Sequence, residues 1–122
     1  MLKFKFLLWM MPKLLQRAIN TKPTCARYVA GKALEFQIQT LDKSECHFRI
    51  QDGTVKSFAG LTKTPKFTLT FRTADKGFKI LSAKDSKEAF LAALHDEDLV
   101  ISGDFVEVLW FQGFTDYLQP GK

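Results

Sequence analysis

Apolar residues near the start of the chain recur at a helical step: Leu7, Met11, Leu15 and Ile19, with Leu8, Leu14 and Ala18 widening the stripe. That pattern predicts an amphipathic helix. Pro12 lacks an amide proton and suits a first turn, so the regular helix is expected to begin near Met11, with residues 2–10 as a separate apolar segment. Asn20 to Pro23 reads as its end. From Ala33 the period changes to two. Leu34, Phe36 and Ile38 alternate with Glu35, Gln37 and Gln39, and Cys46, Phe48 and Ile50 alternate with His47, Arg49 and Gln51. Each run predicts a strand with one buried face. Asp52-Gly53 leads into an extended stretch from Thr54 to Phe58, and such a pair is a two-residue hairpin signal because both turn positions need positive φ. Gly60 to Pro65 reads as a loop. Phe67, Leu69 and Phe71 then alternate with Thr68, Thr70 and Arg72 in a fourth strand.

Downstream the helical period returns. Asp75 opens a short helix with Phe78, Ile80 and Leu81 as its apolar residues, and Ser86 is the expected N-cap of a helix carrying Ala89, Phe90, Ala93 and Leu94. Leu99 to Ile101 reads as a short strand. Ser102-Gly103-Asp104 turns into a last helix reaching Tyr117, with Asp104 placed to cap its free amides. That helix is apolar on two lines, through Phe105 and Leu109 and through Val106, Trp110 and Phe114, so it needs two partners. One is the sheet; the other is a helix, another subunit or a ligand. The order is helix, four strands, two helices, strand, helix. It predicts an α+β domain with a five-stranded, predominantly antiparallel sheet covered on one face by helices.

A length of 122 residues fits a single domain, in which residues 1–32 form a basic amphipathic segment of the same unit as residues 33–122. With 46% apolar and 25% charged residues, the chain is not a wholly disordered one. Its net charge of +5 is uneven: residues 1–32 carry Lys3, Lys5, Lys13, Arg17, Lys22, Arg27 and Lys32 and no acid. A nucleic-acid footprint would spread over the folded body, so none is expected. A basic arm rich in apolar residues suits a solvated helix face, a partner protein or an anionic membrane, with Lys3, Lys5, Trp9, Lys13 and Arg17 as candidate contacts. The start, MLKFKFLLWMM, briefly imitates a signal peptide, but its apolar run from Phe6 is broken by Pro12 and Lys13. No stretch approaches the roughly 20 apolar residues of a membrane span. The expectation is a cytoplasmic protein, peripheral to a membrane where the basic arm touches it.

Catalytic chemistry is thinly represented. His47 adjoins Cys46, but strand neighbours point to opposite faces, so the two do not make a pair and His47 is expected to be solvated. His95 sits at a helix end beside Asp96, Glu97 and Asp98, consecutive carboxylates that fan apart. A nucleophile elbow, a phosphate-binding glycine loop and a zinc-ligand spacing are missing from the sequence. No catalytic residue, metal or cofactor is therefore expected, and Cys25 and Cys46 read as free thiols. The twelve phenylalanines are the compositional outlier. Phe36, Phe48, Phe67 and Phe71 share the inner sheet face, and Phe78, Phe90, Phe105, Phe111 and Phe114 come from helices. They either pack a core or frame an apolar cavity able to hold a chain-like ligand.

The ordered set HFRIQDGTVKSFAG (47–60), TPKFTLTF (64–71), Asp75 to Leu81, Lys87 to Leu94 and LVISGD (99–104) resembles the sterol carrier protein 2 (SCP-2) family, over roughly residues 34–118. The sequence departs from it at Ala83, where a glycine is usual, and ends Gln119-Pro120-Gly121-Lys122 without a peroxisomal signal. The resemblance implies an SCP-2-like lipid-binding domain over residues 33–122, with an apolar tunnel between sheet and helices. It implies noncatalytic binding or transfer of a lipid, fatty acyl or isoprenoid-type ligand, in the manner of an accessory factor of lipid or quinone metabolism. Phe71, Phe105, Leu109 and Phe114 are the candidate lining. The competing expectation is a scaffolding module with a filled core, in which Trp9, Met10, Met11 and Trp110 meet another protein or a second copy.

Overall fold

The alternating segments pair into one sheet in the computed structural model, which describes residues 2–42 and 44–118. Its strands are β1 (Ala33–Thr40), β2 (Glu45–Gln51), β3 (Thr54–Ala59), β4 (Phe67–Phe71) and β5 (Leu99–Gly103), in the spatial order β3-β2-β1-β4-β5. Three of the pairings are antiparallel, and β1 runs parallel to β4 at the centre. The register sets like with like: Leu34 opposite Ile50, Phe36 opposite Phe48, Ile38 opposite Leu69, and Phe71 opposite Leu99. These side chains are buried under the helices. The other face is polar, and there Gln37 Nε2 donates to Thr68 Oγ1 (2.9 Å) and Gln39 Nε2 to Thr70 Oγ1 (3.0 Å). The β2–β3 turn is as expected, with φ of 54° at Asp52 and 71° at Gly53.

The helices are α1 (Leu2–Thr21), α2 (Pro23–Val29), α3 (Ala74–Leu81), α4 (Ser86–His95) and α5 (Phe105–Thr115), followed by a 3-10 turn over Asp116–Leu118. One expectation about the N-terminal part is corrected. The helix α1 does not start near Met11 but runs unbroken from Leu2 through Pro12. Phe4, Leu8, Met11, Leu15 and Ala18 form one buried stripe along it. Burying Phe4 and Leu8 contributes about 1.5–3 kcal/mol each, enough to outweigh the roughly 3 kcal/mol cost of an internal proline. The end expected between Asn20 and Pro23 holds, since α1 stops at Thr21; unanticipated is a further helix, α2, which Pro23 opens at its first position, where the missing amide proton is not needed.

The caps are local, and that of α5 is the one expected. Asp104 Oδ1 accepts from the Val106 (3.0 Å) and Glu107 (3.3 Å) amides at the start of α5. At α4 the cap is Asp85 rather than Ser86, its Oδ1 accepting from the Glu88 amide at 3.1 Å. The helix α3 opens at Ala74, one residue before the expected Asp75, and Thr73 caps it through the Lys76 amide.

The core is aromatic and closely stacked. The Phe36 ring lies 5.1 Å from Phe48, 4.8 Å from Phe67 and 4.6 Å from Phe111 of α5. Phe71 meets Phe4 edge to face at 6.1 Å. Trp110 stacks on Tyr28 at 5.5 Å, and Tyr28 Oη donates to the Trp110 carbonyl (2.6 Å), fastening α5 to α2. The second partner of α5 is thus α2 of the same chain. Residues 119–122, on which the expectation about the chain end rests, lie outside the described residues.

Candidate functional site

The helix α1 crosses the covered face of the sheet diagonally. At one end the Gln16 carboxamide bonds the backbone on either side of Thr54, the first residue of β3, donating to Gly53 O (3.0 Å) and accepting from the Val55 amide (2.9 Å). At the other end Phe4 touches Phe71 on β4, three strands away. Helix and edge strand therefore diverge. The inward side chains of β3 at that point are Val55, Ser57 and Ala59, in register with Ile50, Phe48 and Cys46. Ser57 and Ala59 are too small to fill the gap that α1 leaves.

The result is a groove open to solvent. One part, of about 790 Å3, is lined by Trp9, Pro12, Lys13, Gln16, Arg17, Val55, Lys56, Ser57 and Phe58, among others. An adjoining part of about 530 Å3 shares Trp9, Ser57 and Phe58 and adds Lys5, Leu8, Cys46, Ala59 and Gly60. These volumes fall in the range of small-molecule sites, roughly 300–1,000 Å3. The walls are apolar and the rim is cationic. Lys5, Lys13, Arg17 and Lys56 line it, against Glu45 as the lining carboxylate. Lys13 Nζ lies 4.6 Å from the centre of the Trp9 ring, a cation–π contact that holds the charge at the rim.

The expected contact residues Lys5, Trp9, Lys13 and Arg17 are brought together here, whereas Lys3 is exposed and lies outside this lining. The four expected tunnel residues are not gathered. Phe71 and Phe114 are buried in the packed core, while Phe105 and Leu109 are 47% and 55% exposed on the outside of α5. Val108, Phe111, Phe114 and Thr115 dock that helix, and their spacing turns Phe105 and Leu109 away from the sheet. Of the residues expected to meet a partner, Met11 is buried and Trp110 is stacked inside, while Trp9 is 56% exposed. Sequence reasoning missed Gln16, Val55, Ser57, Phe58 and Ala59. The available signal was the fall in side-chain size at alternate positions of β3, from the Phe and Ile of β1 and β2 to Ser and Ala.

The reactive groups near the groove are quiet. Cys46 borders it, and burial pushes its thiol up to about 11, so it is neutral at physiological pH and a poor nucleophile. Burial also raises the Cys25 thiol. His47 is half-buried rather than solvated: its ring stacks on Phe58 at 5.0 Å and Nδ1 lies 3.0 Å from the Gly60 carbonyl, on the face opposite Cys46. His95 is exposed beside Asp96, and Asp98 pairs with Arg72 (3.4 Å) and Lys76 (3.6 Å). Among the described residues, no group of three or more His, Cys, Asp or Glu side chains is placed to hold a metal, and no helix is long and apolar enough to cross a membrane.

No family model and no curated protein matches the sequence. Solved structures match the fold. A five-stranded mixed sheet covered by five helices gives the chain an α+β fold like that of SCP-2 structures. The chain is similar in fold to UbiJ-SCP2, a ubiquinone synthesis protein, with a TM-score of 0.70 at 13% identity over 94% of this chain and 97% of that one. Sterol carrier protein 2 from Yarrowia lipolytica, in its apo form, matches with a TM-score of 0.54 at 14% identity over 92% and 91%. The sec-alkylsulfatase Pisa1 from Pseudomonas sp. matches at 0.60 and 14% identity over 79% of this chain, but over 14% of the enzyme.

Proposed function

We propose that this chain is a noncatalytic protein that binds or transfers a lipid or another long apolar molecule of fatty acyl or isoprenoid type. The observation that carries the reading is the groove between α1 and β3, where Leu8, Trp9, Pro12 and Val55 offer an apolar surface beneath a cationic rim. Each methylene moved from water onto such a surface contributes about 0.8 kcal/mol, so a long chain is held without any reactive side chain. The cations suit an anionic head group. The names of the structural neighbours, a sterol carrier and a ubiquinone synthesis protein, support a role as an accessory factor of lipid or quinone metabolism. Leu2, Phe6 and Trp9 are exposed on α1 among Lys3, Lys5, Lys13 and Arg17, a combination that favours peripheral contact with an anionic membrane.

Native mass spectrometry of gently purified protein, followed by organic extraction, tests the reading. A stoichiometric lipid or quinone precursor is expected. Ser57→Phe, which fills the junction of the two parts of the groove, is expected to lose that ligand while keeping its unfolding midpoint. Wild-type protein that carries no ligand and takes up no fluorescent acyl probe overturns the reading. On vesicles rich in anionic lipid, replacing Lys3, Lys5, Lys13 and Arg17 by glutamate is expected to abolish sedimentation at low salt, since each well-placed cation contributes about 1 kcal/mol. Unchanged sedimentation removes the membrane part alone. A second reading, an interaction module or homodimer, is favoured by the exposed Phe105, Val106 and Leu109 on α5. A ligand-free, persistent dimer is its expected signature.

A further inference from the structure

The backbone of β3 carries information that the lipid reading does not use. β3 is the last strand of the sheet, with β2 on one side and no strand on the other among the described residues. Backbone groups along a strand alternate between its two neighbours. Gly60 donates its amide to the Glu45 carbonyl of β2 (3.2 Å), so the even-numbered residues face β2 and the odd-numbered ones face the free edge.

The first part of that edge is already occupied by a side chain. The Gln16 carboxamide donates to Gly53 O and accepts from the Val55 amide. These atoms, one on each side of Thr54, are the pair that one residue of a parallel neighbouring strand bonds. Gln16 thus stands in for a single peptide unit of a sixth strand. Beyond it, the row continues with the Val55 carbonyl, both backbone groups of Ser57 and the Ala59 amide. There α1 has swung away and the groove opens.

We propose that an extended acidic segment of a partner protein adds to β3 as a sixth strand, pairing with Ser57 and Ala59 and setting its carboxylates against Lys5, Lys13, Arg17 and Lys56. Strand addition draws affinity from backbone hydrogen bonds and specificity from alternate side chains. Here one set of alternate side chains faces Trp9 across the groove and the other lies beside Phe58. The four cations against Glu45 select an acidic occupant. They also select against a second copy of this chain, because two such edges bring Lys56 and the rim cations together, and like charges on paired strands repel. The proposal goes beyond lipid binding and does not depend on it.

The test uses the full chain, isotope-labelled for NMR, and a short capped peptide alternating glutamate with valine. Saturable binding is expected, weakened by salt, with the Ser57 and Ala59 amides protected from hydrogen exchange by about tenfold or more. The same peptide with lysine for glutamate is expected not to bind. Ser57→Pro removes an edge donor without touching the β2 ladder and is expected to weaken binding roughly tenfold. Lys13→Glu combined with Lys56→Glu changes only exposed side chains and is expected to reverse the preference to the lysine peptide, which keeps the test decisive if the proline variant does not fold. The proposal is overturned if the glutamate peptide fails to bind. It is equally overturned if the peptide binds without protecting Ser57 and Ala59, or if phosphatidylglycerol vesicles protect those amides and the peptide does not.

Discussion

Phe36→Ala is expected to cost about 3–5 kcal/mol of folding stability, read from urea unfolding at 25 °C. Phe36 is fully buried, and its ring touches partners from β2, β4 and α5 at once. Truncation removes the ring and leaves a void between three elements, none of which can collapse into it without breaking the stack of the other two. The loss is a large part of the roughly 5–15 kcal/mol that a domain of this kind has. Phe105→Ala is the matched control. That ring stands on the outer side of α5, so its removal is expected to change stability by less than about 0.5 kcal/mol. Equal losses for the two variants would contradict the docking of α5 through Val108, Phe111 and Phe114.

Gly103→Ala is expected to be nearly as damaging, at about 3 kcal/mol or more in the same measurement. Gly103 ends β5 with φ of +103°, a conformation that a side chain strains. A Cβ there would also lie 2.5 Å from the Lys66 carbonyl oxygen and 2.8 Å from Phe67 Cα. Both are backbone atoms, and they cannot move freely: Phe67 is paired with Gly103 across the sheet, and the Lys66 carbonyl accepts from the Asp104 amide at 2.8 Å. Gly53→Ala separates the two causes. Its φ of +71° carries the conformational strain, but nothing lies within 4 Å of the added carbon, so a loss of only about 1 kcal/mol is expected. If both substitutions cost the same, the close approach at Gly103 has no energetic weight.

The contrast between these glycines separates what is legible in a sequence from what is not. Asp52-Gly53 announces its turn because the hairpin demands positive φ at both positions whatever surrounds it. Gly103 is readable as a turn residue, but the backbone that crowds it arrives from residues 66 and 67. The same division runs through the helices. Asp104 sits next to the amides it caps and was readable; Pro12 was misleading, because its local preference for the first turn of a helix yields to the burial of Phe4 and Leu8 against the sheet and α3. The candidate site was half legible. Its cations and Trp9 stand out in an acid-free arm, whereas Phe105 and Leu109 belong to a helix whose apolar surface surrounds it, so that composition leaves its docking face open.

By itself, then, the sequence determined the strands, the hairpin, the α+β class and the basic character of the first helix. Period-two alternation, turn stereochemistry and charge are properties of neighbours in the chain. Only the tertiary structure decided that the central phenylalanines fill the core, that α5 turns Phe105 and Leu109 outward, and that the open space lies between α1 and β3. That space exists because Gln16 anchors the helix at one end of the edge strand, Phe4 draws the other end across to β4, and Ser57 and Ala59 leave the widening gap unfilled. None of those three facts is local. The crossing angle joins residues far apart in the chain, and small side chains become a groove only where nothing packs over them.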